Sequence, residues 1–327
     1  MRTATLGSTG LTVTPIGLGL AALGRPAYID LGRDADLGPD RSVEAMRRRC
    51  HEVLDAAFAV GVRYVDAARS YGDAERFLAS WLDARPEAAA AATVGSKWGY
   101  AYVADWHVDV RVHEVKDHSV EALRRQRDES LAILGDRLRL YQIHSATLDS
   151  GVLDDAAVLD ELRALEERRG VRIGLSVSGP TQADTIRRAL ELPAARNPFR
   201  CVQGTWNLIE PSAGPALAEA HEAGWGVIVK EALANGRLAG RGDARAAATL
   251  GAIGERHGAA PDAVALAAVL ANPWAEVVLS GAVTAAQVAS NARALDLALP
   301  PDDLAELAAL AEDADGYWAA RGRLAWS

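Results

Sequence analysis

Short runs of aliphatic and β-branched residues alternate along this chain with longer stretches in which Leu and Ala recur every three or four positions. The runs are "PIGLGL" (15–20), "VRYVD" (62–66), "TVGSK" (93–97), "RLYQIH" (139–144), "VRIGLSV" (171–177), "CVQGTW" (201–206), "WGVIVK" (225–230) and "EVVLS" (276–280). Runs of this length, bounded by Gly, Pro and polar clusters, predict buried strands, and the stretches between them predict amphipathic helices, as at 42–60 and 119–135. Eight strand–helix units over about 300 residues predict one parallel sheet closed into a (β/α)8 barrel. Ahead of the first unit, "MRTATLGSTGLTV" reads as a β-hairpin turning at "GSTG", and 24–41 reads as a long Gly- and Asp-rich loop. A doubly wound nucleotide-binding sheet is the rival. It lacks its glycine fingerprint, because "GLGLAALG" (17–24) has the wrong spacing and opens a loop rather than a helix. No Pro- or Ser-rich linker divides the chain, so residues 1–327 are expected to form a single domain.

Composition narrows the classes of function. Half of the residues are apolar and 24% are charged, as in a soluble globular protein. A net charge of −9 argues against a general nucleic-acid surface, which needs a basic face. The apolar runs are too short to span a bilayer and the N-terminus has no signal-like apolar segment, so a cytoplasmic protein is expected. The two cysteines, Cys50 and Cys201, have no short-spaced partners, which fits a reducing compartment.

In a parallel barrel, residues at the C-terminal ends of strands form the site. Here three successive runs end on Asp66, Lys97 and His144, and Tyr71 lies on the loop just past the first of them. An ammonium beside a phenol is expected to lower its pKa, and a carboxylate behind the lysine keeps that charge in place. An imidazole can donate to an oxygen that gains negative charge. The set suits protonation of a carbonyl oxygen as hydride reaches its carbon, and no side chain supplies hydride, so a nicotinamide cofactor is implied. His107, His113 and His118 show no tight ligand spacing, and no metal site is expected.

The motifs "GVRYVDAARSYG", "GSKWG", "LAILGDRLRLYQIHS" and "VLSGAVTAAQVASN" resemble those of the aldo-keto reductases over nearly the whole chain. The resemblance implies a barrel closed below by a β-hairpin and carbonyl reduction with NADPH. It assigns Tyr71 as general acid, Lys97 as the group that tunes it, Asp66 as the holder of Lys97, and His144 as the orienter of the carbonyl. For the cofactor it assigns Ser176 and Gln203 to the nicotinamide amide and Leu233, Asn235 and Gly236 to the pyrophosphate. Gly281, Ala282, Gln287 and Asn291 fall to the adenosine phosphate. Lys230 stands where a stacking tyrosine is usual, and either reaches a phosphate or pairs with Glu231. Ser290 replaces a usual glutamate, and Gly281, Ala282 and Val283 fill places where a lysine or arginine is usual. NADP(H) is thus the family default and NAD(H) an open alternative, with Arg237 and Arg293 as candidate compensating cations. Independently of the resemblance, the loop after the third run carries Trp98, Tyr100, Tyr102 and Trp106. Trp98 and Tyr100 are expected to line an apolar or ring-binding substrate pocket, although "WHVDVRVHEV" (106–115) also reads as an extra hairpin whose aromatics pack together. The tail at 317–326 is expected over the barrel mouth. The substrate is then a small carbonyl compound. Oxidation of a sugar or other alcohol with NAD, and a non-catalytic dinucleotide-binding sensor or subunit, are the alternatives.

Overall fold

The computed structural model describes residues 1–242 and 244–327. An antiparallel hairpin, β1 (Ala4–Thr5) and β2 (Thr12–Val13), precedes the first barrel strand, β3 (Ile16–Gly19). Then follow β4 (Tyr64–Asp66), β5 (Thr93–Trp98), a small hairpin of β6 (Tyr100–Tyr102) with β7 (Glu114–Lys116), and β8 (Leu138–Ala146). The chain continues through β9 (Arg172–Val177), β10 (Phe199–Thr205), β11 (Gly226–Lys230) and β12 (Val277–Ser280). Eight of these close an all-parallel barrel in the order β3-β4-β5-β8-β9-β10-β11-β12, with β12 returning to β3. Each expected run lies on one of these strands.

The helices follow from local signals. Ser42 and Ser119 cap Val43–Ala59 and Val120–Leu134 by accepting from the backbone N–H three residues on, at 3.3 and 3.2 Å. Their apolar stripes pack on the outward faces of the strands in one large core.

Strand side chains alternate, so every second residue points into the barrel. Tyr64, Leu140, Cys201, Ile228 and Val277 form a lower apolar layer, onto which the hairpin presses Leu6, Leu11 and Val13. The hairpin therefore plugs the N-terminal end. One step up, the same alternation brings in Asp66, Lys97, Gln142 and Gln203, a buried polar layer. Gly95 belongs to this arrangement: a Cβ there would collide with the Tyr64 hydroxyl, so a side chain on that residue would displace the ring lying beneath Asp66.

Two expectations about loops are revised. An extra hairpin does form, but only the end of the 106–115 alternation enters it: its strands are Tyr100–Tyr102 and Glu114–Lys116, and 106–113 lies in the loop between them. The 24–41 segment holds a short helix, Arg33–Leu37, and is tied down by the Leu31 N–H donating to the Asn235 carbonyl at 3.0 Å.

Candidate active site

Asp66 and Lys97 meet inside the barrel because they lie at the ends of adjacent strands, with side-chain exposures of 2% and 0%. Lys97 Nζ donates to Asp66 Oδ2, to the Ala67 carbonyl at 3.0 Å and to Tyr71 Oη at 3.4 Å. The other Asp66 oxygen accepts from Tyr64 Oη (3.1 Å), Gln203 Nε2 (3.0 Å) and Gln142 Nε2 (3.3 Å). Tyr71 Oη lies 3.5 Å from His144 Nε2, and His144 Nδ1 lies 3.4 Å from Ser70 Oγ. These groups stand at one end of a cavity of about 640 Å³ that continues between the 24–41 segment and the segment 281–291.

Burial sets the protonation of the site. It pushes the Tyr71 phenol well above its usual value of 10.0, with Asp66 adding to the shift and the Arg25 guanidinium opposing it. The expected lowering by Lys97 is therefore not what this structure has, because low dielectric and a nearby carboxylate penalise phenolate more than the cations favour it. Tyr71 keeps its proton until a stronger base arrives, which is what an acid needs. Burial, then the charges of Lys97, Lys230 and Arg25, hold His144 well below 6.5. It is a neutral imidazole at pH 7.

The aldo/keto reductase family profile matches residues 15–312. The chain belongs to the aldo/keto reductase family. It is 27% identical to a candidate aldo-keto reductase from Pseudomonas aeruginosa, with a TM-score of 0.63 over 90% of this chain and 95% of that one. The holo form of an aldo-keto reductase from Bacillus halodurans matches in fold, with a TM-score of 0.71 at 20% identity, over 96% and 97% of the two chains. A stretch of 151 residues is 31% identical to pyridoxal 4-dehydrogenase of Microbacterium luteolum, covering 40% of this chain and 39% of that protein. The aldo/keto reductases are nicotinamide-dependent oxidoreductases acting on small molecules, generally with NADP(H), and this chain is one of these enzymes. Among the described residues, no helix is long and apolar enough to cross a membrane.

The reductase's cofactor candidates fall in several places. Gln203, Lys230, Leu233, Asn235, Gly236, Gly281, Ala282, Gln287 and Asn291 all line the cavity. The Asn235 side-chain oxygen is buried there without a partner, and Gly281 leaves open space where a Cβ would stand. A cavity of this size, with an unpaired acceptor that a ribose hydroxyl can satisfy and bare backbone at Gly281, fits a dinucleotide. Ser176 is sealed beneath it, its Oγ accepting from the Ser145 N–H at 2.9 Å, while Ser178 reaches the wall instead. Lys230 donates to Thr205 Oγ1 at 2.7 Å and lies 3.8 Å from Glu231; burial brings its ammonium down to about 8 against the pull of that carboxylate.

On the substrate side, Tyr100 lines the cavity with its ring 5.0 Å from that of His144. Trp98 does not line it and is fully buried in the core. The reason is strand parity: if Lys97 faces inward, its neighbour faces outward. His118 donates from Nε2 to the His144 carbonyl at 2.9 Å, and His113 stacks on Trp326. The tail does reach the mouth, where Arg321 and Trp326 join the wall.

Sequence reasoning missed Arg25. Its buried guanidinium lies 5.1 Å from the Tyr71 ring and donates to Glu114 (2.7 Å) and the Ser70 carbonyl (3.1 Å). The Glu231–Arg321 pair was missed too. Arg321 donates to both Glu231 oxygens, at 2.7 and 2.5 Å, and Asn207 Nδ2 holds the Glu231 carbonyl at 3.0 Å in a left-handed turn (φ 55°).

Burial alone would raise the Glu231 carboxyl, but Arg321 and Lys230 outweigh it and bring it from 4.5 down to about 2. A depressed folded-state value means stability that is present above pH 4.5 and lost as the pH falls toward 2. Glu231→Gln is expected to lower unfolding stability by about 3 kcal/mol at pH 7, with the gap to wild type narrowing below pH 4.5. Urea unfolding at a series of pH values checks this; a gap as wide at pH 3 as at pH 7 refutes it.

Proposed function

We propose that this enzyme reduces an aldehyde or ketone to the alcohol, with Tyr71 as the general acid. The observation that carries the reading is the meeting of Tyr71 and His144 on the cavity wall, with Lys97 bonded to the phenol from behind. When bound, the reduced nicotinamide supplies hydride to the carbonyl carbon. His144, being neutral, donates from Nε2 to the carbonyl oxygen and fixes its orientation. Tyr71 gives its proton to that oxygen, since an alkoxide is a much stronger base than phenolate. Lys97, hydrogen-bonded to Tyr71 and anchored by Asp66, stabilises the phenolate left behind. Gln203 and Gln142, in the same layer, hold Asp66 still. Tyr28, Tyr100 and Trp326 line the mouth, which supports a ring-bearing substrate.

The test is to mix purified enzyme with NADH or NADPH and a panel of aromatic and aliphatic aldehydes and ketones, following nicotinamide absorbance. Turnover of ring-bearing carbonyls supports the reading. No turnover in either direction, with dinucleotide binding intact, would favour the non-catalytic binder. A second reading is oxidation of an alcohol with NAD. The partial likeness to a pyridoxal 4-dehydrogenase supports it, as does the lack of a cation among Gly281, Ala282 and Val283, so alcohols with NAD belong in the same panel.

A further inference from the structure

The cavity end farthest from Tyr71 is walled on one side by the segment Gly281–Val283 with helix Ala285–Ala292 and on the other by the 24–41 segment. Asp36, in the short helix of that segment, reaches across. Its carboxylate accepts from Arg241 NH1 at 2.6 Å and NH2 at 2.9 Å and from Gln287 Nε2 at 2.7 Å. Gln287 in turn accepts from the Val283 N–H at 2.8 Å, which locks its amide in this direction. On the function proposed above, this end receives the adenosine ribose, and what it offers there decides between the two nicotinamide dinucleotides.

They differ by a 2′-phosphate carrying about two negative charges. Holding it needs a cation with donors to give. Among the described residues lining this end, the cation is Arg241, whose charge is already paired with Asp36 through both terminal nitrogens, so a phosphate taking its remaining N–H groups would sit against that carboxylate. Arg237 and Arg293 do not line the cavity; Arg237 pairs with Glu312 and Arg293 with Asp296. Asp30 and Asp262 line it as well, and Asp262 is committed to Ser290 Oγ (2.9 Å) and Asn291 Nδ2 (2.8 Å). A 2′-phosphate therefore meets a carboxylate with its counter-ion already satisfied. A 2′-hydroxyl meets an acceptor: a carboxylate has about four lone-pair positions, and three hydrogen bonds leave one open. Acceptance of a ribose hydroxyl by an acidic side chain is a general way of favouring the unphosphorylated dinucleotide.

We propose that Asp36 selects NAD(H) over NADP(H), accepting the ribose 2′-hydroxyl and excluding the 2′-phosphate, with Arg241 as its fixed counter-ion. The selecting residue thus comes from the loop after the first barrel strand, across the cavity from the segment where the usual cation is missing.

The experiment is a binding titration of NADH and NADPH by tryptophan fluorescence on wild type, Asp36→Ala, Asp36→Asn and Asp36→Ala/Arg241→Ala. ADP and adenosine 2′,5′-bisphosphate serve as competitors that report on this end alone. Wild type is expected to bind NADH about tenfold more tightly than NADPH, or better. Asp36→Ala frees Arg241 and should move the ratio toward NADPH by about a hundredfold; the double variant should lose the gain in NADPH affinity. Asp36→Asn, which removes the charge and keeps the shape, should fall between, and the ligand-free variants should melt close to wild type. Tighter NADPH binding by wild type, or an unchanged ratio in Asp36→Ala, overturns the role of Asp36 and leaves the dinucleotide site standing. Binding of neither dinucleotide overturns the functional reading and this one together.

Discussion

Tyr71→Phe should lower kcat for carbonyl reduction by about three orders of magnitude while leaving dinucleotide affinity within a factor of about two of wild type. The phenol hydroxyl contacts Lys97 and stands beside His144, and on the proposed mechanism its loss removes an interaction that matters only as the proton moves. The ring remains, and with it the Arg25 and Lys97 contacts over its face, so the packing of the pocket should survive. Single-turnover reduction and a fluorescence titration of the same preparation separate the two quantities. Wild-type rates from Tyr71→Phe would show that the proton comes from another group. A parallel fall in rate and affinity would mean that the ring, rather than the hydroxyl, is what counts.

The second large effect is on stability. Asp66→Ala should cost about 3–5 kcal/mol and lower Tm by about 5 °C, because it strands a charged lysine in a fully buried site. It also deprives Tyr64, Gln142 and Gln203 of the oxygen they share. Lys97→Met should cost less, since Asp66 keeps three neutral donors and the thioether fills the same channel. Combining the two changes should recover part of the loss seen in Asp66→Ala alone, giving a coupling of about 1–3 kcal/mol. Urea unfolding of the four proteins measures it. Additive losses would mean that the two side chains contribute separately, and the buried pair would lose its place as the anchor beneath Tyr71.

The sequence carried the barrel because a parallel strand buried on both faces must be apolar throughout, so each run stood out and each acid, amine or imidazole at its end was conspicuous. Asp66, Lys97 and His144 were legible for that reason, and Tyr71 by its place just beyond. Strand parity could have corrected Trp98 and picked out Gln142 in advance, since both follow from knowing which way Lys97 and His144 face. Arg25 and Asp36 were not legible. They belong to an irregular segment, where no period tells which side chains turn inward, and what places them are contacts to Ser70, Arg241 and Gln287 far along the chain. Glu231 and Arg321 show the same limit: a pair separated by ninety residues leaves no local mark.

The segment after β3 is also paired with the tail: Tyr28 and Ser327 exchange backbone hydrogen bonds of 3.0 and 3.2 Å, and Arg33 donates to the Ser327 carbonyl at 2.8 Å. The cavity mouth is thus assembled from two segments nearly three hundred residues apart along the chain, and each holds the other in place. Loss of the pairing at Ser327 would therefore open this doorway while leaving Tyr71 against Lys97, since separate parts of the chain hold the two.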